Sequence, residues 1–179
     1  HLDLYIGIYK PCQKEWLKMY KHSFTYTIIE DYVEVDAQTK KLVKSILLKE
    51  DKYIPGMNFT SFFDKHEILN ELIINKLGHI FKSFSLTLDH SWIQKYSKYG
   101  YHSIHTHHPK HKSFVWFIQG NKNSSPISFF DVGYPYVDIN KPKDFKFKPG
   151  TFLLFPGYMP HEVRPNRTDN RLIVSGNLV

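Results

Sequence analysis

The sequence predicts a mainly β fold, a β-sandwich or jelly roll with supporting α-helices supplied mostly by the first half. Three observations predict it. Beyond residue 84 the chain breaks into short apolar runs separated by Gly, Pro and Asn turns, and eight of the ten prolines lie past residue 100. The long stretches with helical spacing fall in the first half. The composition, 41% hydrophobic and 16% aromatic over 179 residues, supplies one sizeable core and excludes a disordered chain.

In the first half, Pro11 opens a short helix through Trp16, Leu17 and Tyr20. Phe24 to Val35 is rich in β-branched and aromatic residues and reads as a strand. Leu42, Val43, Ile46 and Leu47 recur at helical spacing between Thr39 and Leu48. Pro55-Gly56 marks a turn. Asp64, with Glu67 three residues on, forms a capping box for a helix running to about Ser83. Leu69, Leu72, Ile73, Leu77, Ile80 and Phe81 line its buried face.

The second half gives candidate strands at Ser85–Asp89, Ser91–Tyr99, Ser113–Gln119, Ile127–Val132, Asp144–Lys148, Thr151–Phe155, Glu162–Val163 and Arg171–Asn177. Pro149-Gly150 and Pro156-Gly157 bracket Thr151–Phe155, whose unbroken apolar run fits a strand buried on both faces. No repeat or linker interrupts the chain. One domain is expected over 1–179, with 1–83 as helical and strand support and 84–179 as the jelly-roll core.

No apolar run approaches the ~20 residues a membrane helix needs, and no membrane partner is expected. No charged-then-apolar leader is visible. Cys12 is the single cysteine, so an internal disulfide is impossible and a cytoplasmic location is expected. The first 90 residues carry equal numbers of acidic and basic side chains, so the whole formal charge of +7 falls in the second half. That half also holds His102, His105, His107, His108, His111 and His161. A cationic, histidine-rich half suits an anionic ligand or a metal.

On an extended backbone, residues two apart share a face, so His105 and His107 can enter one cavity. His161, following a buried strand and a turn, offers a third imidazole. Three protein ligands leave coordination positions open on a metal.

Two stretches carry a family likeness. The run Lys148-Pro149-Gly150-Thr151-Phe152-Leu153-Leu154-Phe155-Pro156-Gly157-Tyr158-Met159-Pro160-His161-Glu162-Val163 resembles the distal-histidine region of iron(II)/2-oxoglutarate-dependent oxygenases, in their small bacterial and phage branch. The arginine that follows in that branch, opening a strand that ends in Asn, matches Arg171 to Asn177. Upstream, Trp92, Gly100, His105-x-His107-x-Pro109 and the strand Ser113 to Phe117 complete the likeness, over about residues 84–179.

The resemblance implies a double-stranded β-helix of cupin-like type, Fe(II), 2-oxoglutarate and dioxygen. It sets His105 and His161 at the two histidine-ligand positions and Arg171 where a guanidinium pairs with the distal carboxylate of 2-oxoglutarate. A planar guanidinium forks onto a carboxylate, which suits Arg to that task. His107 stands where the usual second ligand is a carboxylate, although H-x-H occurs within this branch, so the metal set is His105, His107 and His161. Asp131 is the one strand carboxylate that could replace it. Ile173 stands where the family has a serine, and Ser175, on the same face as Arg171, is the candidate in its place. Trp116, Phe117, Phe129 and Tyr158 either wall the site or, as most of them are expected to, belong to the sandwich core, and His102 is a candidate further contact.

The expected activity is an iron(II)- and 2-oxoglutarate-dependent dioxygenase, a hydroxylase of a peptide, amino acid or small metabolite. Two rivals are a three-histidine cupin-type metalloenzyme without 2-oxoglutarate and a basic polyanion-binding module. Nucleic acid is not an expected partner, because the order Pro-Gly, strand, Pro-His, Arg is positional while charge is only compositional.

Overall fold

The computed structural model describes residues 27–49, 59–62, 66–131 and 142–179. The helix expected from Pro11, the Pro55-Gly56 turn and Asp64 lie outside them. The described elements run β1 (Ile29–Tyr32), α1 (Ala37–Lys49), β2 (Phe59–Thr60), α2 (Glu67–Ser83), β3 (Leu88–Tyr96), β4 (His102–His105), β5 (Lys112–Gln119), β6 (Ile127–Phe129), β7 (Lys143–Phe145), β8 (Thr151–Pro156), β9 (His161–Val163) and β10 (Arg171–Leu178).

Two antiparallel sheets form a jelly roll. The larger has six strands in the order β1-β8-β5-β10-β3-β2, the smaller four in the order β4-β9-β6-β7. Neighbours in space are distant in sequence, as expected of a double-stranded β-helix.

The central strands β5, β8 and β10 are buried along almost their whole length. Alternation explains why. Phe114, Trp116 and Ile118 of β5, Phe152 and Leu154 of β8, and Leu172 and Val174 of β10 pack with Val43, Leu69, Ile73 and Leu77 of the helices. Val115, Phe117, Leu153, Phe155 and Ile173 turn the other way and meet Phe129, Phe145 and Val163 between the sheets. The larger sheet is therefore covered on both faces, and its strands lose the apolar/polar alternation of a half-solvated sheet.

Several expectations are corrected. The strand sought over Phe24 to Val35 is only β1, because among its described residues just Ile29–Tyr32 pair with β8. The two strands sought in 85–99 are one, β3, paired along its length with β10. β4, within the histidine tract, is a strand because it pairs with β9. The cap of α2 is His66, without a side-chain cap bond, rather than Asp64.

Asp36 instead caps the other helix. Its Oδ1 accepts from Thr39 N at 2.6 Å, and its Oδ2 meets Lys76 Nζ at 2.7 Å, fastening α1 to α2. Gly150 turns β7 into β8 with φ +94°, where a Cβ would strike the Tyr32 ring at 2.4 Å. Among the described residues, no helix is long and apolar enough to cross a membrane.

Candidate metal centre

β4 and β9 pair so that His105 lies directly opposite His161. His107 sits just past the end of β4, where its N–H donates to Gly157 O at 2.6 Å. One nitrogen from each of His105, His107 and His161 lies within 4.8 Å of the others. The ring centroids are 4.2 Å apart for His105 and His161, 5.1 Å for His107 and His161, and 5.3 Å for His105 and His107.

The tautomers follow from the partners. His105 Nδ1 lies 2.9 Å from Ser103 O, and His161 Nδ1 lies 2.9 Å from Met159 O. His107 Nδ1 lies 2.9 Å from Asn177 Oδ1. A carbonyl oxygen only accepts, so each Nδ1 carries the proton and each Nε2 keeps its lone pair. Burial pulls the pKa of His105 down to about 4 and that of His161 well below its usual value. His107 is lowered for the same reason. All three are neutral near pH 7, which is the state a metal requires.

His102 adds a fourth ring. Its imidazole stacks on His105 at 3.6 Å with 15° between planes, and burial pulls its pKa down to about 3. Asp131 is exposed and lies outside the cluster, so it does not substitute for His107.

Arg171 opens β10 opposite Tyr96 of β3. Its side chain is fully buried, and its guanidinium lies 4.5 Å over the Tyr96 ring and 5.2 Å over Phe147. Nε donates to Ser125 O at 3.1 Å. Nη1 and Nη2 have no hydrogen-bond partner among the described residues. Burial lowers its pKa from the usual arginine value, opposed by Tyr96 beside it. Two donors of a buried cation left without an acceptor fit a carboxylate, which takes both at once. Arg164 pairs with Glu162 at the surface, and Arg167 is exposed.

A narrow inner cavity lies at the histidines. His105, His107 and His161 line it with Tyr96, Val115, Ile127, Ile173 and Ser175. It adjoins an open cleft of about 310 Å³ lined by Thr60, Phe62, Trp92, Gln94, His102 and His108, among others. Phe117 and Phe129 belong to the inner core rather than to the cavity lining. Trp116 does not wall the site. It packs on the helical side and donates from Nε1 to Val33 O at 3.1 Å. Tyr158 is partly exposed. Asn177 received no role from the sequence. The period of two from Arg171 through Ile173 and Ser175 leads straight to it and could have found it.

The comparisons bear on the fold and the family. Residues 90–177 match the family model described as "Putative 2OG-Fe(II) oxygenase". A search of curated proteins finds no sequence match. Among solved structures, HygX from Streptomyces hygroscopicus, with nickel, 2-oxoglutarate and hygromycin B bound, superposes with TM-score 0.64 at 12% identity, over 86% of this chain and 83% of its own. An oxidoreductase of the 2OG-Fe(II) oxygenase family from Burkholderia pseudomallei gives 0.61 at 16% identity, covering 84% of this chain and 83% of that one. A Pseudomonas putida prolyl-4-hydroxylase gives 0.59 at 13% identity, over 86% and 92%. At these identities the neighbours speak for the fold, and the matched segment speaks for the family. Over residues 90–177 the chain is thus similar to the 2OG-Fe(II) oxygenases, enzymes that use iron(II) and 2-oxoglutarate, and it shares their fold.

Proposed function

We propose that this chain is an iron(II)- and 2-oxoglutarate-dependent hydroxylase in which His105, His107 and His161 hold the metal and Arg171, with Ser175, binds the distal carboxylate of 2-oxoglutarate. The observation that carries this is the pair of buried, unpartnered Arg171 nitrogens on the strand face that also lines the histidine cavity. A metalloenzyme without 2-oxoglutarate leaves them with nothing to bind.

When bound, the iron and cosubstrate supply the oxidising chemistry, in which dioxygen converts 2-oxoglutarate to succinate and carbon dioxide while a substrate C–H is hydroxylated. The protein's part is binding, orientation and exclusion of water. The three neutral imidazoles form one face and leave the opposite side open. Arg171 fixes the far end of the cosubstrate, and Ser175, on the same inner face of β10, adds a hydroxyl. Val115, Ile127, Val163 and Ile173 keep water from the buried charge pair.

The substrate enters from the cleft. Phe62 and Trp92 give it aromatic walls, and no Asp, Glu, Lys or Arg lines it among the described residues. Pairing of β1 with β8 and of β2 with β3 supports one oxygenase domain, because the first half contributes strands to the same sheet as Arg171. The lone Cys12 supports a cytoplasmic location.

Anaerobic titration with iron(II) and then 2-oxoglutarate tests the reading. A weak visible charge-transfer band that saturates with 2-oxoglutarate is expected. Metal binding without that band, and without any change on adding 2-oxoglutarate, would move the chain to the three-histidine alternative.

A further inference from the structure

We propose that Asn177 is a positioning residue for the third histidine, and that the end of β10 is built to hold the His107 imidazole in a single tautomer. The inference rests on His107 being a metal ligand.

The three histidines are held differently. His105 and His161 each use a main-chain carbonyl two residues away, an acceptor that no substitution removes. His107 alone relies on a side chain from a distant strand, through Asn177 Oδ1 at 2.9 Å. That oxygen also accepts from Ser113 Oγ at 2.9 Å, and Ser113 is fully buried. In this orientation one carbonyl oxygen serves both the imidazole and the serine. A flipped amide would set an N–H donor against Nδ1, and Nε2 would then carry the proton and lose its lone pair.

Packing completes the clamp. Trp92, itself 4% exposed, stacks on His107 at 5.7 Å with 21° between planes. Phe155 meets the ring edge-on at 6.4 Å and 90°. A carboxylate here would bring negative charge to the Asn177 oxygen and leave the Trp92 face uncovered. The surroundings are thus complementary to a histidine of one tautomer. The same inner face of β10 carries Arg171, Ser175 and Asn177, so one strand would set both the cosubstrate carboxylate and the third ligand.

The test is a cobalt(II) titration of the whole chain, read by calorimetry and by the visible ligand-field band. Asn177→Leu is expected to weaken cobalt binding about 10- to 100-fold, as loss of an outer hydrogen-bond partner does, and to change the band. Asn177→Asp keeps an acceptor in place and is expected to restore affinity to the parent's or above. In a His107→Ala background, Asn177→Leu should cost nothing more, because its effect passes through His107.

An Asn177→Leu protein that binds cobalt like the parent overturns the proposal. So does an Asp variant as weak as the Leu variant, or a Leu effect that persists without His107. Should Asn177→Leu fail to fold, Ser113→Ala asks the same question, with a smaller loss expected that vanishes in the His107→Ala background and is overturned by no loss at all. A His107→Ala protein that binds cobalt like the parent instead removes His107 from the metal set, and the underlying reading fails separately.

Discussion

The Arg171 guanidinium lies over the ring of Tyr96, 4.5 Å from the centroid, on the strand directly paired with its own. The ring's negative face gives the cation partial compensation in a place water does not reach. It leaves the two terminal nitrogens for another partner.

Arg171→Gln is expected to weaken 2-oxoglutarate binding by roughly 30-fold or more, since losing one partner of a desolvated charge pair costs ~2–5 kcal/mol and ~1.4 kcal/mol is tenfold. Metal affinity should hold, because the guanidinium is not a ligand. Arg164→Gln and Arg167→Gln should leave both unchanged. Calorimetric titration of 2-oxoglutarate into the zinc- or iron-loaded variants checks all three.

Acid should loosen the metal-free fold. His102 and His105 have folded-state values of about 3 and about 4, both below the usual histidine value. Below ~6.5 the unfolded chain takes up protons that the folded chain refuses. Stability is therefore complete above that pH and falls as pH drops toward the folded values. Urea midpoints between pH 8 and 4 should decline below about 6.5. A midpoint flat down to pH 4 would contradict the buried neutral histidines.

Gly157→Ala is expected to damage the metal site without touching a ligand. A Cβ there would stand 2.6 Å from His108 O and 2.9 Å from His111 O, both main-chain atoms that cannot swing away. Overpacking of this kind costs ~1–3 kcal/mol. Because Gly157 O also receives the His107 N–H, cobalt affinity should fall together with the melting temperature.

Trp116→Phe separates core from site. It removes the bond to Val33 O and should cost ~1 kcal/mol, read as a lower urea midpoint. Cobalt and 2-oxoglutarate titrations should match the parent, since the ring packs on the helical side.

Much of this was legible in the sequence. The His-x-His pair, the Pro-Gly bracketed strand and the Arg171 strand follow from spacing, and α1 from its apolar period. What was hidden has physical reasons. Trp116 could not be assigned a side, because β5 is apolar on both faces and alternation alone does not say which face is inner. β4 is polar and histidine-rich, so nothing local marks it as a strand, and only its pairing with β9 makes it one. The cap at His66 has no side-chain signal. Asn177 owes its setting to His107 and Ser113, two residues remote in sequence.

The pairing of β4 with β9 has a consequence for how the molecule comes apart. His105 and His161 are opposite only in this register, and a slip of one residue would turn one imidazole outward. An ion gripping both rings binds the native pairing and no slipped one, so it stabilises the folded state by mass action. The contact it reinforces joins distant segments, which tend to meet late in folding. Its effect should therefore fall on the escape rate from the native basin more than on the rate of entry, and a loaded protein would resist proteolysis longer while refolding no faster.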